Sequence, residues 1–279
     1  MQRYTRWSAF REIGFWIAAI PMLVPIWFVV TTALKGPSDA TSSMFAPPSS
    51  PTFDNVSRAW DEAGGNAVSF AQAMANSAIT TGVVVALLIA IGAPAAYALA
   101  RRGSRLSGTV FGLFTLGLIL PVQLGLIPLY AFLVDVGLAG TRTGLVLVYV
   151  GLLLPLSVFL YSGFLRALPT GYEEAARVDG ASPVRIFAQI VLPLVRPVTG
   201  VVALLTGLFV WNDFFVALVF VGGTERETLP VAVYSFVGRV STDWPLIFAS
   251  ALIALAPVVV VYAFLQRSIM KSFASTLRG

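Results

Sequence analysis

The sequence predicts an all-α integral membrane protein: six transmembrane helices, with a helical loop on the cytoplasmic side between the fourth and fifth. Three observations predict it. Of 279 residues, 57% are hydrophobic and only 11% charged, less than half the ~25% charged share of an average soluble domain. Six stretches almost free of charge recur along the chain, each about as long as the ~20 residues a helix needs to cross the hydrocarbon core. The basic residues also separate by side, 13 against five, as cytoplasmic retention of Lys and Arg requires. A soluble globule of this length has too little interior to hide so much apolar surface.

The first span is expected over 13–34, behind Arg3, Arg6 and Arg11. A cleavable secretory signal has an apolar core of about 7–15 residues. Here the apolar run is 22 residues long and contains Pro21, Pro25 and Trp27, so a retained anchor is expected. The second span, 74–100, lies within Ala63 to Ala100, which carries no charge. The third, 106–134, contains Pro121 and Pro128, both expected to kink it. The fourth covers 143–165, the fifth 197–221 with Asp213 as its one charge, and the sixth 244–266. No soluble domain is left over, so residues 1–279 read as a single transmembrane domain. Residues 37–51 are rich in Pro and Ser and should be extended. Asp54 to Ala63 could form a short amphipathic helix with Val56, Ala59 and Trp60 toward the bilayer. That segment reads either as a connector or as a docking surface for an external partner.

With the N-terminus inside, segments 1–12, 101–105, 166–196 and 267–279 hold 13 Lys and Arg against four acids. Segments 35–62, 135–142 and 222–243 hold five against eight. Both termini are therefore expected in the cytoplasm. The net charge of +5 is a topology signal. No basic cluster with interleaved aromatics points to nucleic acid. There is no Cys and no His, which removes thiol nucleophiles, thiolate metal sites and the usual general base near neutral pH. The only lysines, Lys35 and Lys271, do not follow glycine, so no phosphate-cradling P-loop is present. No cofactor is expected in this chain; any ATP and Mg would be bound by another subunit.

The segment between spans four and five, 166–196, is the most informative. Thr170 and Glu173 have capping-box spacing, Ala175 and Ala176 favour helix, and Asp179-Gly180 stops it. Ser182 then caps a second helix with Pro183 at its first position. Ile186 and Ile190 share a face, and Pro193 is expected to end that helix. The small Ala175-Ala176 pair lets another surface approach closely, and Glu174 beside it can pair with an arginine. Local chemistry leaves two readings open, an ordinary capped hairpin or a helix docked in a partner's cleft.

Glu174-Ala175-Ala176, three residues, Gly180, nine residues, then Ile190-Val191-Leu192-Pro193 resembles the EAA signature of ABC-importer permeases with its spacing intact. Asn76-Ser77, Pro121-Val122-Gln123, Ile127-Pro128-Leu129-Tyr130, Trp211-Asn212-Asp213 and Phe53-Asp54-Asn55 extend the likeness along the chain, which resembles MalG-type permeases of carbohydrate uptake. The resemblance implies a type I importer permease fold and makes Glu174, Ala175, Ala176, Asp179 and Gly180 the elements coupled to an ATPase. It implies a cytoplasmic ABC ATPase dimer, a second, different permease subunit and an extracytoplasmic sugar-binding protein as partners, beside membrane lipid. The chain itself would be a transport subunit and no enzyme. The cargo would be a sugar, with another organic solute such as a glycerol phosphoester as the alternative. The C-terminus is less glycine-rich than the family suggests, and Arg267, Lys271 and Arg278 suit an anionic inner leaflet.

Polar groups within spans are candidates for the translocation pathway, because burying them in lipid is costly. Asn76, Gln123, Tyr130, Asn212 and Asp213 are the candidates. For Asp213, lining a cavity and fixing helix packing are both open; for Asn76 and Gln123, interhelical hydrogen bonding is the competing role. Trp211, Phe214 and Phe215 could serve a sugar or an interfacial belt. An intramembrane enzyme would need a paired acid and base, and a secondary transporter would show more buried carboxylates and an inverted repeat.

Overall fold

The computed structural model describes residues 6–36, 39, 46–61, 68–237 and 243–276. Among these the regular structure is helical. In chain order the helices are α1 (Arg6–Ala33), α2 (Asp54–Asp61), α3 (Phe70–Arg101), α4 (Arg105–Gly117), a 3-10 turn (Val122–Gly125), α5 (Leu126–Asp135) and α6 (Arg142–Ala167). There follow α7 (Gly171–Val178), α8 (Pro183–Leu194), α9 (Arg196–Asn212), α10 (Phe215–Val221), α11 (Leu229–Tyr234) and α12 (Trp244–Thr276). The chain divides into two compact units, one of Met1–Phe70 with Ala232–Pro257, the other of Ala71–Val231 with Val258–Gly279.

Three helical segments are long and apolar enough to cross a membrane as they stand: Gly14–Ala33, Phe70–Arg101 and Arg142–Ala167. The stretch expected as the third span is not one straight helix. Arg105–Gly117 and Val122–Asp135 meet at 95°. The break falls at Leu118–Pro121, where Pro121 has extended backbone and leads the 3-10 turn. Pro128 introduces no second kink, because it lies in the first turn of α5, where a missing N–H costs no helical bond. The fifth stretch is also interrupted, at Asp213 and Phe214 between α9 and α10. The last helix runs past the expected end at 266 to Thr276, and Trp244–Val260 is its short apolar portion.

In the first unit, Asn55 accounts for orphan carbonyls at the end of α1. Its amide donates to the Ala33 and Lys35 carbonyls, each at 2.8 Å, groups a helix C-terminus leaves without intrahelical donors. The Thr52 N–H donates to Leu34 O at 2.9 Å. α2 turns Ala59 fully into the protein, while Trp60 stays half exposed with its ring 6.1 Å from Phe70. The expected membrane face of Val56, Ala59 and Trp60 is thus divided; residues 62 and 63 lie outside the described residues, as do most of 37–45. Arg58 pairs with Asp243 at 3.2 Å, and Asp243 also caps α12 by accepting from the Leu246 N–H. Phe28 meets Phe248 edge to face at 5.3 Å.

The second unit is organised around α6. Its Tyr149 and Tyr161 are fully buried, and each hydroxyl has a partner. Around Tyr149 pack Val84, Leu88, Leu145, Val210 and Phe220; around Tyr161 pack Ala93, Ala96, Leu165, Ile186 and Val202. Surrounded by lipid, helices gain little from hydrophobic exclusion, so close packing and internal hydrogen bonds must hold them. Gly92 of α3 provides one such close approach. A Cβ there would overlap the Ser157 side chain, whose hydroxyl donates to Leu88 O at 3.1 Å.

Candidate functional site

The segment 166–196 forms a helical hairpin of α7 and α8. α7 closes with two reverse hydrogen bonds: Gly180 N–H to Arg177 O at 3.1 Å and Ala181 N–H to Ala176 O at 3.0 Å. This is the Schellman arrangement, which needs a left-handed residue, and Gly180 supplies it at φ +79°. Ser182 accepts from the Arg185 N–H, and Pro183 occupies the first turn of α8. Pro193 does not end α8, which continues through Leu194. Lacking an N–H for the Gln189 carbonyl, the chain widens into a π turn over Phe187–Val191. It then bends by 72° into α9.

The expected capping box does not form. Thr170 has helical backbone angles, and its hydroxyl donates to Glu174 Oε1 at 2.7 Å instead of accepting from an amide. Glu173 turns inward because stronger donors wait there. Its Oε1 accepts from Arg101 Nε at 2.8 Å and its Oε2 from the Tyr97 hydroxyl at 3.0 Å. The Glu173 side chain keeps 6% of its surface exposed, and that of Arg101 18%. The remaining Arg101 nitrogens donate to Leu165 O at 2.9 Å and Leu168 O at 3.3 Å, at the end of α6. The Tyr97 ring lies 5.3 Å from Phe187 in the π turn. Sequence reasoning passed over Tyr97, Arg101 and Glu173 as functional residues. Their signal was weak: an aromatic and an arginine four apart at a span's end, with a second carboxylate beside Glu174.

The outward surface of the hairpin carries Glu174, Ala175, Asp179 and Gly180. Ala176 is half-buried and packs toward the core, so the alanine pair is split between the two sides. Tyr172, Val178 and Val184 add large apolar side chains to the exposed side, Val178 at 88% exposure. Small residues, exposed apolar groups and one carboxylate held by Thr170 make a surface suited to insertion into a complementary cleft.

The polar groups within the spans do not assemble into one site, and none of the five candidates hydrogen-bonds another. Asp213 Oδ2 accepts from Tyr149 OH at 2.9 Å, Val216 N at 3.0 Å and Ala217 N at 3.2 Å. It therefore caps α10 and ties the break between α9 and α10 to α6. Asn76 is buried. Its amide donates to the Glu225 and Glu227 carbonyls, both at 3.0 Å, and its oxygen accepts from Arg142 at 2.6 Å. Both of its N–H groups are occupied in clamping the 222–228 segment, which leaves neither for a passing solute. Ser77 next to it accepts from Leu229 N at 2.8 Å. Gln123 is exposed in the 3-10 turn, and Asn212 is exposed with its amide on Leu208 O at 2.8 Å. The Tyr130 ring packs 5.9 Å from Phe220. Among the described residues no three His, Cys, Asp or Glu side chains come together as a metal cluster would require. The Arg278 of the basic tail lies outside the described residues.

Comparison with known proteins accords with this arrangement. Residues 82–275 match the family described as binding-protein-dependent transport system inner membrane component. The melibiose/raffinose/stachyose import permease MelC of Bacillus subtilis is 36% identical over 260 residues, covering 93% of this chain and 92% of its own. The diacetylchitobiose uptake permease NgcG of Streptomyces coelicolor is 32% identical over 259 residues, covering 91% and 83%. In fold, the chain resembles a bacterial ABC transporter involved in import of the acidic polysaccharide alginate, with a TM-score of 0.81 at 21% identity, covering 96% and 99%. It also resembles the MetNI methionine ABC transporter, at TM-score 0.59 and 19% identity, covering 72% and 95%. The fold is that of type I importer permeases, and the chain, an integral inner membrane protein and a transport component, belongs to the binding-protein-dependent transport system inner membrane components of ABC importers.

Proposed function

We propose that this chain is one of two different permease subunits of an ATP-driven importer that carries a sugar, in the di- to oligosaccharide range, into the cytoplasm. The relatives named for melibiose, raffinose, stachyose and diacetylchitobiose uptake support that cargo. In this reading residues 1–279 are one transmembrane domain with six spans, the third bent at Leu118–Pro121 and the fifth interrupted at Asp213 and Phe214, and both termini are cytoplasmic. The distribution of basic residues supports that orientation. An extracytoplasmic sugar-binding protein delivers the cargo, and a cytoplasmic ATPase dimer binds ATP and Mg. Lipid surrounds the spans, and nucleic acid has no part.

The observation that carries the reading is the hairpin. Its outward face of Glu174, Ala175, Asp179 and Gly180 fits an ATPase cleft, with Ala176 behind it as packing. A helix held there converts ATPase closure into rigid-body motion of the spans. Gln123, Tyr130 and Asn212 are the pathway candidates with exposed side chains, and Asp213 keeps the break next to Asn212 in shape. Asn76 acts on the 222–228 segment. The test is uptake by proteoliposomes holding this chain and the ATPase, second permease and binding protein that co-purify with it. Radiolabelled melibiose, raffinose, trehalose and chitobiose would be offered with and without internal ATP. ATP-dependent uptake of one sugar that is lost in Glu174→Arg, with the chain still inserted, is expected. Uptake independent of ATP, or unchanged in Glu174→Arg, would overturn the reading.

A further inference from the structure

Tyr97 and Arg101 sit four residues apart on the last turns of α3, on one face of the helix. Between them they touch α7, the end of α6 and the π turn of α8. Arg101 holds the Glu173 carboxylate of α7 and, with its other nitrogens, the Leu165 and Leu168 carbonyls at the end of α6. Tyr97 takes the second Glu173 oxygen and lays its ring on Phe187 in the π turn of α8. A planar guanidinium with three directed bonds fixes orientation as well as distance, which a lysine could not do. A charged pair this buried is held in a single geometry, because each group would be left unsatisfied by any other.

We propose that Arg101, Glu173 and Tyr97 are positioning residues that join the hairpin rigidly to the cytoplasmic end of α3, so that ATPase closure moves α3 together with the docked helix. The proposal rests on the docking role proposed above for the hairpin. Glu174 faces outward to the ATPase and Glu173 inward to the spans, so the two adjacent carboxylates divide contact from transmission. Without the inward set, α7 would still dock, but its motion would be absorbed by hinging at Leu168–Thr170.

The absence of cysteine from the chain makes a direct test possible. A single cysteine is placed at Gln123, and its labelling by a membrane-impermeant maleimide is followed in the assembled complex, with and without MgATP and vanadate. The parent is compared with Arg101→Gln, Glu173→Gln, Tyr97→Phe and the double variant Arg101→Gln with Glu173→Gln. ATP hydrolysis and recovery of the complex are measured in the same samples. Arg101→Gln and Glu173→Gln should retain the ATPase and hydrolyse ATP, while the nucleotide-dependent change in labelling rate shrinks at least about fivefold. The double variant should be no worse than either single one, since all remove one shared interaction. If an arginine variant does not assemble, Tyr97→Phe, which leaves the ion pair in place, still reads the link through a smaller loss in the same direction. Full nucleotide response in the variants that assemble, Tyr97→Phe included, would overturn the proposal. A parent complex that captures no ATPase, or shows no nucleotide response, would overturn the docking reading instead.

Discussion

Replacing Asp213 by alanine should destabilise the protein, and the size of the effect can be worked out from its three hydrogen bonds. The backbone amides of Val216 and Ala217 lose the cap of α10, which costs about 1–2 kcal/mol. The hydroxyl of Tyr149, a fully buried side chain, loses its acceptor, which costs about 1–3 kcal/mol more. The sum, about 3 kcal/mol as a middle value, corresponds to a fall of roughly 6–12 °C in the unfolding midpoint of a chain near this size. Asp213→Asn keeps an acceptor oxygen in the same place and should cost only about 1 kcal/mol. Tyr149→Phe combined with Asp213→Ala should fall short of the sum of the single changes, because no hydroxyl is left unsatisfied. Thermal unfolding of the detergent-purified protein, followed by tryptophan fluorescence, measures all four. An alanine variant within about 1 °C of the parent, or an asparagine variant as unstable as the alanine one, would refute the assignment of Asp213 as a cap. Normal stability with lost uptake in Asp213→Asn would show that its charge, and not its geometry, is what the protein needs.

Gly180→Ala should cost about 1 kcal/mol through its left-handed backbone alone, since no atom lies within 4 Å of a Cβ there. Faster amide exchange at Gly180 and Ala181 would register it, and Gly180→Asn should be milder. Gly92→Val must displace Ser157 from its bond to Leu88 O and should lower the unfolding midpoint by more than Gly207→Ala, whose added methyl meets only ordinary contacts. The Ser49 hydroxyl and N–H hold the Asp39 carboxyl below its ordinary range. That contact is therefore complete above the unfolded carboxylate range and is lost as pH falls through the lowered value. Carboxyl titration by NMR should place Asp39 below an ordinary aspartate, and Ser49→Ala should return it toward the usual value.

Helical content and the apolar spans were legible because lipid exposure imposes long charge-free runs, and the three long ones are the single helices α1, α3 and α6. The breaks were harder to read. Pro121 and Pro128 look alike in sequence, yet one stands at a bend and the other in a first turn, and only helix register distinguishes them. Pro193 carried a stop signal that a π turn absorbs. In the hairpin, Gly180 and Ser182 act as local chemistry predicts, because their partners are within five residues. Glu173 does not, because its partners, Tyr97 and Arg101, are more than 70 residues away in sequence. The same applies to Asn76, whose carbonyl partners follow it by about 150 residues. Long-range pairing of polar groups leaves no periodic trace in a chain.

If the outward face of α7 lies in an ATPase cleft, as proposed, a crosslinker carried on that face must reach the ATPase. Photo-crosslinking from Val178, 88% exposed on that helix, tests it most directly, with Phe132 of α5 as the control position. A crosslink from Val178 to a P-loop ATPase, abolished by Glu174→Arg and absent from Phe132, is the predicted result. Crosslinks from Val178 to lipid alone, or equal capture from both positions, would contradict it.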